Sequence, residues 1–124
     1  MAVHKAATSD ETAVLQAVLD YFEGWFDGDT ARMERALHPE LAKRSLMDDG
    51  TSLDETTAKW MIEATGRGVG KARDPGDRRI EVEVEDVYGV IANATVRSAV
   101  YHEYIQLART RDGWRIANTL WQWT

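Results

Sequence analysis

Residues 80–124 read IEVEVEDVYGVIANATVRSAVYHEYIQLARTRDGWRIANTLWQWT, and their apolar residues are spaced for strands. Ile80, Val82 and Val84 alternate with glutamates, which is the period-two pattern of a strand with one buried face. Tyr88-Gly89 marks a turn, and Asp112-Gly113 is a hairpin signal. Four strands are therefore predicted, over residues 80–85, 91–98, 101–109 and 114–123.

The first half of the chain is spaced for helices instead. Thr8-Ser9-Asp10-Glu11 supplies a capping hydroxyl and acids for a first turn, and an apolar stripe at helical spacing follows as far as Gly28. Asp29-Thr30 caps a short second helix, which His38-Pro39 ends. Ser52-Leu53-Asp54-Glu55 is a second capping box, so we predict a third helix from there to about Thr65.

This order, helices first and then antiparallel strands with short loops, is typical of an α+β fold. Helices then cover one face of a curved sheet, and a cavity can lie between the two layers. Residues 1–8 are predicted to be a flexible leader and residues 9–124 a single domain, because a chain of 124 residues supports one core. Residues 41–47 fit a brief strand and an irregular turn equally well. Residues 66–77 contain four glycines and a proline, so we expect a loop that is mobile or poorly packed and that flanks the pocket mouth.

Composition and charge argue against several classes of function. A net charge of −6 and a pI near 5.0 argue against a nucleic-acid partner, whose phosphates require a basic surface. The chain has no cysteine, and its histidines lack companions at metal-binding spacing, so no metal site or cofactor is expected. The longest charge-free stretch, residues 87–96, is about half of the roughly 20 residues that a membrane helix needs. With no signal-peptide pattern after Met1, a cytoplasmic location is expected.

The last predicted strand carries bulky residues on both faces. Trp114, Ile116 and Leu120 share one parity, whereas Trp121 and Trp123 share the other. A sheet in a small monomer normally has one wet face. We therefore expect a homodimer, in which the outer sheet face, at Trp121 and Trp123, is covered by the partner.

Four segments carry a family resemblance: GWFDGD at 24–29, HPELAKR at 38–44, YHEYIQL at 101–107 and DGWRIANTLW at 112–121. In this order they resemble the nuclear-transport-factor-2-like superfamily, and within it a small bacterial branch named for lumazine binding. The resemblance implies a cystatin-like cone. Three helices pack on a strongly curved, mainly antiparallel sheet of four to five strands, with an internal pocket and a dimer through the outer sheet face. The superfamily is similar in fold to ketosteroid isomerases and polyketide cyclases, so the resemblance implies a fold more than a reaction.

The candidate site residues are polar or aromatic side chains in segments otherwise spaced for burial. Those expected to bind ligand are Tyr21, Trp25, His38, Arg44, Trp60, Glu103 and Asn118, and the catalytic candidates are His38, Glu103 and Tyr104.

Each candidate also has a structural interpretation. His38 is either an acid or base near neutral pH or a residue that favours a helix C-terminus. The aromatic residues either pack in the core or stack on a planar ligand. Asn118 bonds either to ligand or to backbone. Glu103 shares its parity with Tyr101 and is either a pocket carboxylate or an interface residue opposite an arginine.

Arg44 either fixes an anionic or carbonyl group of a ligand or forms a salt bridge. Because a buried charge left alone is costly, we expect Arg44 and Glu103 to be paired inside the cone.

The function favoured by these observations is the binding of a small apolar or planar molecule in a partly polar pocket of a homodimer. One alternative is an isomerase, dehydratase or cyclase that uses acid–base chemistry in the same pocket, with Tyr21 or Tyr104 polarising a carbonyl. Another is a protein-interaction module that uses the outer sheet face. The sequence leaves open whether a reaction is catalysed.

Overall fold

The computed structural model describes residues 8–124, so the predicted leader lies outside the described residues except for Thr8, where the first helix begins. The helices are α1 (Thr8–Asp27), α2 (Thr30–Ala36) and α3 (Ala58–Gly66), followed by a short 3-10 helix (Lys71–Arg73). The strands are β1 (Leu37–Leu46), β2 (Leu53–Thr56), β3 (Glu81–Tyr88), β4 (Ile91–Arg97), β5 (Tyr101–Thr110) and β6 (Gly113–Trp123). They form one sheet in the order β2-β1-β6-β5-β4-β3, in which only the β1–β6 pair is parallel.

The α+β class, the three helices and the four C-terminal strands are confirmed, but the sheet has six strands instead of four to five. The two additional strands come from the segment between α2 and α3. Of residues 41–47, which fitted a strand and a turn equally well, all but Met47 belong to β1. His38-Pro39 lies in the same strand, where a shift of register between Leu37 and Ala42 makes room for a residue without an N–H group.

The predicted capping box at Ser52-Leu53-Asp54-Glu55 is wrong. Leu53–Thr56 is strand β2, which pairs with β1, and α3 begins only at Ala58. Its cap is Thr57, whose side-chain oxygen accepts a hydrogen bond from the Trp60 N–H at 3.1 Å. The strand pairing therefore prevails over the local capping preference, and the next hydroxyl along the chain takes that role.

The core lies between α1 and the sheet. Val14, Val18 and Phe26 are fully buried on one stripe of α1, and they face buried residues of β4, β5 and β6 such as Ile105 and Ile116. Burying a side chain of this size contributes about 1.5–3 kcal/mol. The helical stripe and the alternating strands of the sequence therefore meet in one apolar layer.

A β-bulge in β6 changes which side chains face the helices. Leu107 pairs with Ile116 and Gln106 pairs with Asn118, so Ala117 is an extra residue without a partner. Trp114 and Ile116 face the helices before the bulge. After the bulge, the side chains on the concave face are those of Thr119, Trp121 and Trp123, and Leu120 points outward.

The expected placement of Trp121 and Trp123 on the outer sheet face is therefore wrong. Both rings contact Tyr101, with ring centroids 5.5 and 5.2 Å away, on the side of the sheet that the helices cover. The prediction assumed that inward and outward side chains alternate without a break along β6, whereas the bulge shifts this alternation by one residue.

The segment between α3 and β3 is better packed than expected. Gly70 is buried, and a Cβ atom placed on it would lie 2.3 Å from the Trp25 carbonyl oxygen. Further along, Arg78 bonds Asp27 at 2.6 Å and Asp74 at 2.8 Å, which ties the end of the loop to the end of α1. Of the two predicted alternatives, poor packing does not hold around Gly70, and the mobility of the loop stays a prediction.

Candidate functional site

A cavity of about 40 Å³ lies between the helices and the concave face of the sheet. Aromatic and ionisable side chains from α1, α3, the 3-10 helix and three strands converge on it. They are Tyr21, Phe22, Trp25, Lys43, Met61, Arg73, Tyr101, Glu103 and Trp121.

Secondary structure explains why these side chains converge. Tyr21 and Trp25 are four residues apart on α1 and therefore share one helix face. Tyr101 and Glu103 are two residues apart on β5, so they share one face of the sheet. Trp121 is the direct register partner of Glu103 on β6.

Three ionisable groups form a hydrogen-bonded cluster in the cavity, and we call Tyr21, Lys43 and Glu103 the polar triad. The Tyr21 hydroxyl donates to Glu103 Oε2 at 2.7 Å, and Lys43 Nζ donates to the same oxygen at 3.0 Å. Lys43 Nζ also donates to the Tyr21 hydroxyl. The Lys43 and Glu103 side chains are only 8% and 2% exposed, so this is a buried ion pair.

The surroundings shift the protonation of the triad. Burial raises the pKa of the Tyr21 hydroxyl well above its usual value, and the negative charge of Glu103 and the hydrogen bond to it raise it further. Burial lowers the pKa of the Lys43 ammonium, and the charge of Glu103 and its hydrogen bond oppose that fall. Tyr21 is therefore held as a neutral donor, while Lys43 depends on Glu103 for its charge.

The cavity walls are aromatic. Trp25 Nε1 donates to the Tyr101 hydroxyl at 2.9 Å, and the Tyr101 ring meets the Trp121 ring edge-on at 5.5 Å between centroids. Lys43 Nζ lies 5.0 Å from the centre of the Trp121 ring, a cation–π distance. The polar triad is thus enclosed by rings that can contact a planar molecule on its faces.

Three of the predicted site residues are brought together by the fold. Tyr21, Trp25 and Glu103 line the same cavity, and Glu103 lies on the pocket face of β5 and not at an outer interface. The strand parity that Glu103 shares with Tyr101 left the pocket and an interface both open, and the burial of both residues assigns them to the pocket face.

The other predicted residues lie outside this cavity. Arg44 points to the outer face, where its Nε lies 3.4 Å from Glu55 Oε2 and both side chains are largely exposed. Asn118 donates to Gln106 on the outer face, at 3.1 Å. Tyr104 is also there and is 57% exposed. The predicted Arg44–Glu103 pair is therefore wrong. Adjacent residues of a strand point to opposite faces, so Lys43 faces Glu103 while Arg44 faces outward.

His38 and Trp60 are also excluded from the cavity lining. His38 Nδ1 accepts a hydrogen bond from the Glu40 N–H at 2.9 Å, a local turn-like contact in the irregular start of β1. Trp60 lies on the exposed side of α3 and contacts Trp25 with its ring centre 6.5 Å away. Trp60 therefore contacts the lining residue Trp25 without lining the cavity itself.

Sequence reasoning missed Lys43, Arg73, Tyr101 and Trp121 as site residues. Lys43 and Leu41 share a parity in β1, and an alternating reading of residues 41–45 would have placed Lys43 inward beside Leu41. Trp121 was misplaced by the bulge, which has no clear signal in the sequence. Arg73 lies in the glycine-rich segment, where periodicity gives no direction.

Within residues 8–124 no cluster of three or more His, Cys, Asp or Glu side chains is arranged to hold a metal ion. Over the same residues, no helix has the length and apolar character needed to cross a membrane.

Comparison with solved structures shows which fold this is. A protein of unknown function from Silicibacter pomeroyi, described as similar to nuclear transport factor 2, has a TM-score of 0.71 at 17% identity over 96% of this chain and 100% of its own. One from Shewanella baltica has a TM-score of 0.70 at 11% identity over 98% of each chain. A third, from Novosphingobium aromaticivorans and described as having a cystatin-like fold, has a TM-score of 0.65 at 17% identity over 91% and 80% of the two chains. At these identities the likeness shows the fold alone.

Sequence comparison identifies the family within that fold. No protein of curated function matches the chain. The profile of one family matches residues 9–122, which is nearly the whole chain. This chain with a nuclear-transport-factor-2-like, cystatin-like fold therefore belongs to the family described as "Putative lumazine-binding".

Proposed function

We propose that the protein binds a small planar molecule in the aromatic cavity, with the polar triad as its hydrogen-bonding wall. The observation that carries this proposal is the burial of Tyr21, Lys43 and Glu103 together at a cavity. A buried ion pair is weak evidence for stability, because well-packed apolar residues in its place are often as stabilising or more so. Because the triad lines a cavity, ligand binding explains its burial better than stability does.

The triad has unused hydrogen-bonding capacity on the cavity side. Both hydrogen bonds that Glu103 accepts from described residues end on Oε2, so Oε1 can accept one from a ligand N–H. Lys43 uses two of its three N–H groups on the triad, so the third can donate to a ligand carbonyl. This pattern suits a planar heterocycle with neighbouring N–H and C=O groups, and lumazine, named in the family's description, is one.

A ring of that size requires the cavity to widen. A free volume of about 40 Å³ has room for a few water molecules, since one water needs roughly 10–15 Å³ of such space. Met61 on α3 is a lining side chain that is long, unbranched and uncharged. We propose that it moves aside when a ligand enters, because Met adapts readily to a change of shape.

The test is calorimetric titration with lumazine, uracil and quinazolinedione, three planar rings that carry this pattern. We expect saturable binding of at least one ring, weakened about tenfold or more by Glu103→Gln because that change removes a charged acceptor. Tyr104→Phe is the matched control on the outer face and should leave the affinity unchanged. If none of the rings saturates the protein, or if Glu103→Gln binds as tightly as the wild type, the proposal is wrong.

We also propose that two copies associate through the outer sheet face. Leu53, Tyr104 and Leu120 are each more than half exposed there, and they line one broad groove across β2, β1, β6 and β5. Apolar residues grouped in this way favour a protein interface. Light scattering should give the mass of two chains, and Leu120→Glu should reduce it to one. Val90→Glu, at an exposed apolar position in the β3–β4 turn, is the control that should keep the dimer.

An acid–base enzyme is the second candidate function, because Glu103 and Tyr21 meet in one cavity as that function requires. Two of its other candidate residues, His38 and Tyr104, lie elsewhere, so the reaction would depend on Glu103 as base and Tyr21 as donor. Uptake of deuterium from D2O at the carbon beside the carbonyl of cyclohexanone, followed by NMR, tests this. The rate should fall in Glu103→Gln. No uptake above the buffer rate would leave binding as the function.

A further inference from the structure

The charges that line the cavity do not balance. Lys43 and Glu103 neutralise each other in the triad, with Nζ and Oε2 3.0 Å apart. Arg73 lines the same cavity and makes no ion pair with any carboxylate of residues 8–124. The cavity therefore has one positive charge in excess, in a chain whose net charge is −6.

Most arginines of this chain have acidic partners, and among the described residues Arg73 is the arginine without one that lines the cavity. The arginines in ion pairs are Arg32, Arg35, Arg44, Arg78, Arg79, Arg97 and Arg109. Acids outnumber bases by 21 to 15, so a carboxylate partner is easy to find on this surface. An arginine at the cavity without one has its donors available to another molecule.

Aromatic stacking holds Arg73 at the cavity mouth. Its guanidinium lies 5.3 Å from the centre of the Trp123 ring, and Trp123 in turn stacks on Tyr101 with centroids 5.2 Å apart and planes at 29°. Tyr101 is itself part of the cavity wall. The guanidinium is thus attached to the wall through one ring, while its N–H groups stay accessible to solvent.

We propose that the ligand is a planar carboxylate, whose ring enters the aromatic cavity and whose anionic group binds Arg73 at the mouth. This inference rests on the proposed binding function. A guanidinium presents two parallel N–H groups that match the two oxygens of a carboxylate. Lys43 is the weaker anchor for an anion, because Glu103, 3.0 Å from its Nζ, repels a second negative charge.

The test compares benzoate with benzamide, which have the same ring and differ in charge. Binding is followed in 15N NMR spectra through the indole N–H signals of Trp25 and Trp121, which line the cavity. Trp114 is the internal reference, because its Nε1 donates to Asp10 away from the cavity. We expect benzoate to bind about tenfold or more tightly than benzamide, as a charge-assisted bidentate contact allows.

Variants separate the contribution of Arg73 from a general charge effect. Arg73→Met should abolish the preference for benzoate over benzamide, and Arg73→Lys should keep part of the preference. Arg67→Met, at an exposed arginine that caps α3, removes the same charge a few residues away and should change neither affinity.

The outcomes distinguish this inference from the function on which it rests. If benzamide binds as tightly as benzoate, or if the preference survives Arg73→Met, the carboxylate inference is wrong while ring binding stands. If neither probe shifts the Trp25 and Trp121 signals and the heterocycles named above also fail to bind, the binding function and this inference are both wrong.

Discussion

The triad makes a sharp prediction about stability, through the changes Lys43→Met, Glu103→Gln and their combination. Each single change leaves the other charge buried without its partner, at side-chain exposures of 8% and 2%. Breaking a buried pair in this way costs about 3–5 kcal/mol, whereas replacing both partners is often neutral or stabilising. We therefore expect each single variant to lose about 3 kcal/mol of unfolding free energy and the double variant to lose about the same, instead of the sum of about 6 kcal/mol.

Urea unfolding at neutral pH, followed by tryptophan fluorescence, measures all four proteins. The matched control is Arg44→Met, alone and combined with Glu103→Gln. Arg44 is next to Lys43 in β1 but pairs with Glu55 on the exposed outer face, where such a pair contributes about 0–1 kcal/mol. Its effect should add to that of Glu103→Gln within about 0.5 kcal/mol. If Lys43→Met and Glu103→Gln also proved additive within that margin, the buried pair would not exist as described.

Four further predictions concern single positions. Gly70→Ala should destabilise the protein by about 1–3 kcal/mol or more in urea unfolding, because the added Cβ would lie 2.3 Å from the Trp25 carbonyl oxygen and overpack the site; a loss below about 0.5 kcal/mol would show a loose segment. Thr119→Val should be neutral or stabilising, because the buried Thr119 hydroxyl has no hydrogen-bond partner among the described residues although it lies near the Tyr21 hydroxyl; a loss of more than about 1 kcal/mol would reveal a hidden bond. The lowered pKa of Lys43 means that the unfolded chain binds more protons between that pKa and 10.5, so its contribution to stability should rise with pH in that window and disappear in Lys43→Met. The raised pKa of Tyr21 has the opposite effect, because above pH 10.0 the unfolded chain loses the Tyr21 proton before the folded chain does. The unfolding free energy should therefore fall as the pH rises above 10.0, and Tyr21→Phe should remove this fall.

The first helix and the four C-terminal strands could be predicted from periodicity because these elements are long and regular. The apolar stripe that ends at Gly28 and the alternation of residues 101–107 both point to one buried face, and both are found in the structure. The same alternation put Glu103 on one face with Tyr101, but it left open whether that face meets the pocket or a partner. Where a segment has a clear period, the residues that share a face follow from the sequence.

The partner of Glu103 could not be predicted, because it depends on which of two adjacent cations points inward. Residues 41–47 were too short to classify, and without a strand there the sequence gives no reason to prefer Lys43 to Arg44. The structure settles this through the pairing of β1 with β6, in which Lys43 is opposite Thr119 and Arg44 opposite Leu120. This is a long-range contact and leaves no trace in local spacing.

Local capping signals were also misleading where tertiary pairing competes with them. Ser52 and Glu55 have the spacing of a capping box, yet β2 forms at that place because its residues can pair with the edge of β1. Thr57, a few residues later, then caps α3. A short sequence motif indicates a possible helix start, and the neighbouring strand decides whether it is used.

The bulge at Ala117 divides β6 into two parts whose inward-facing residues differ in parity by one position. Residues before Ala117 supply the apolar core, and residues after it supply the pocket wall through Trp121. Deleting this one residue would make the pairing with β5 regular and leave Leu120 and Trp121 on their present faces, whereas a strand that kept Ala117 without the bulge would exchange them. In this protein, therefore, the side on which β6 contributes to the cavity depends on how the strand accommodates Ala117, a residue that does not line the cavity.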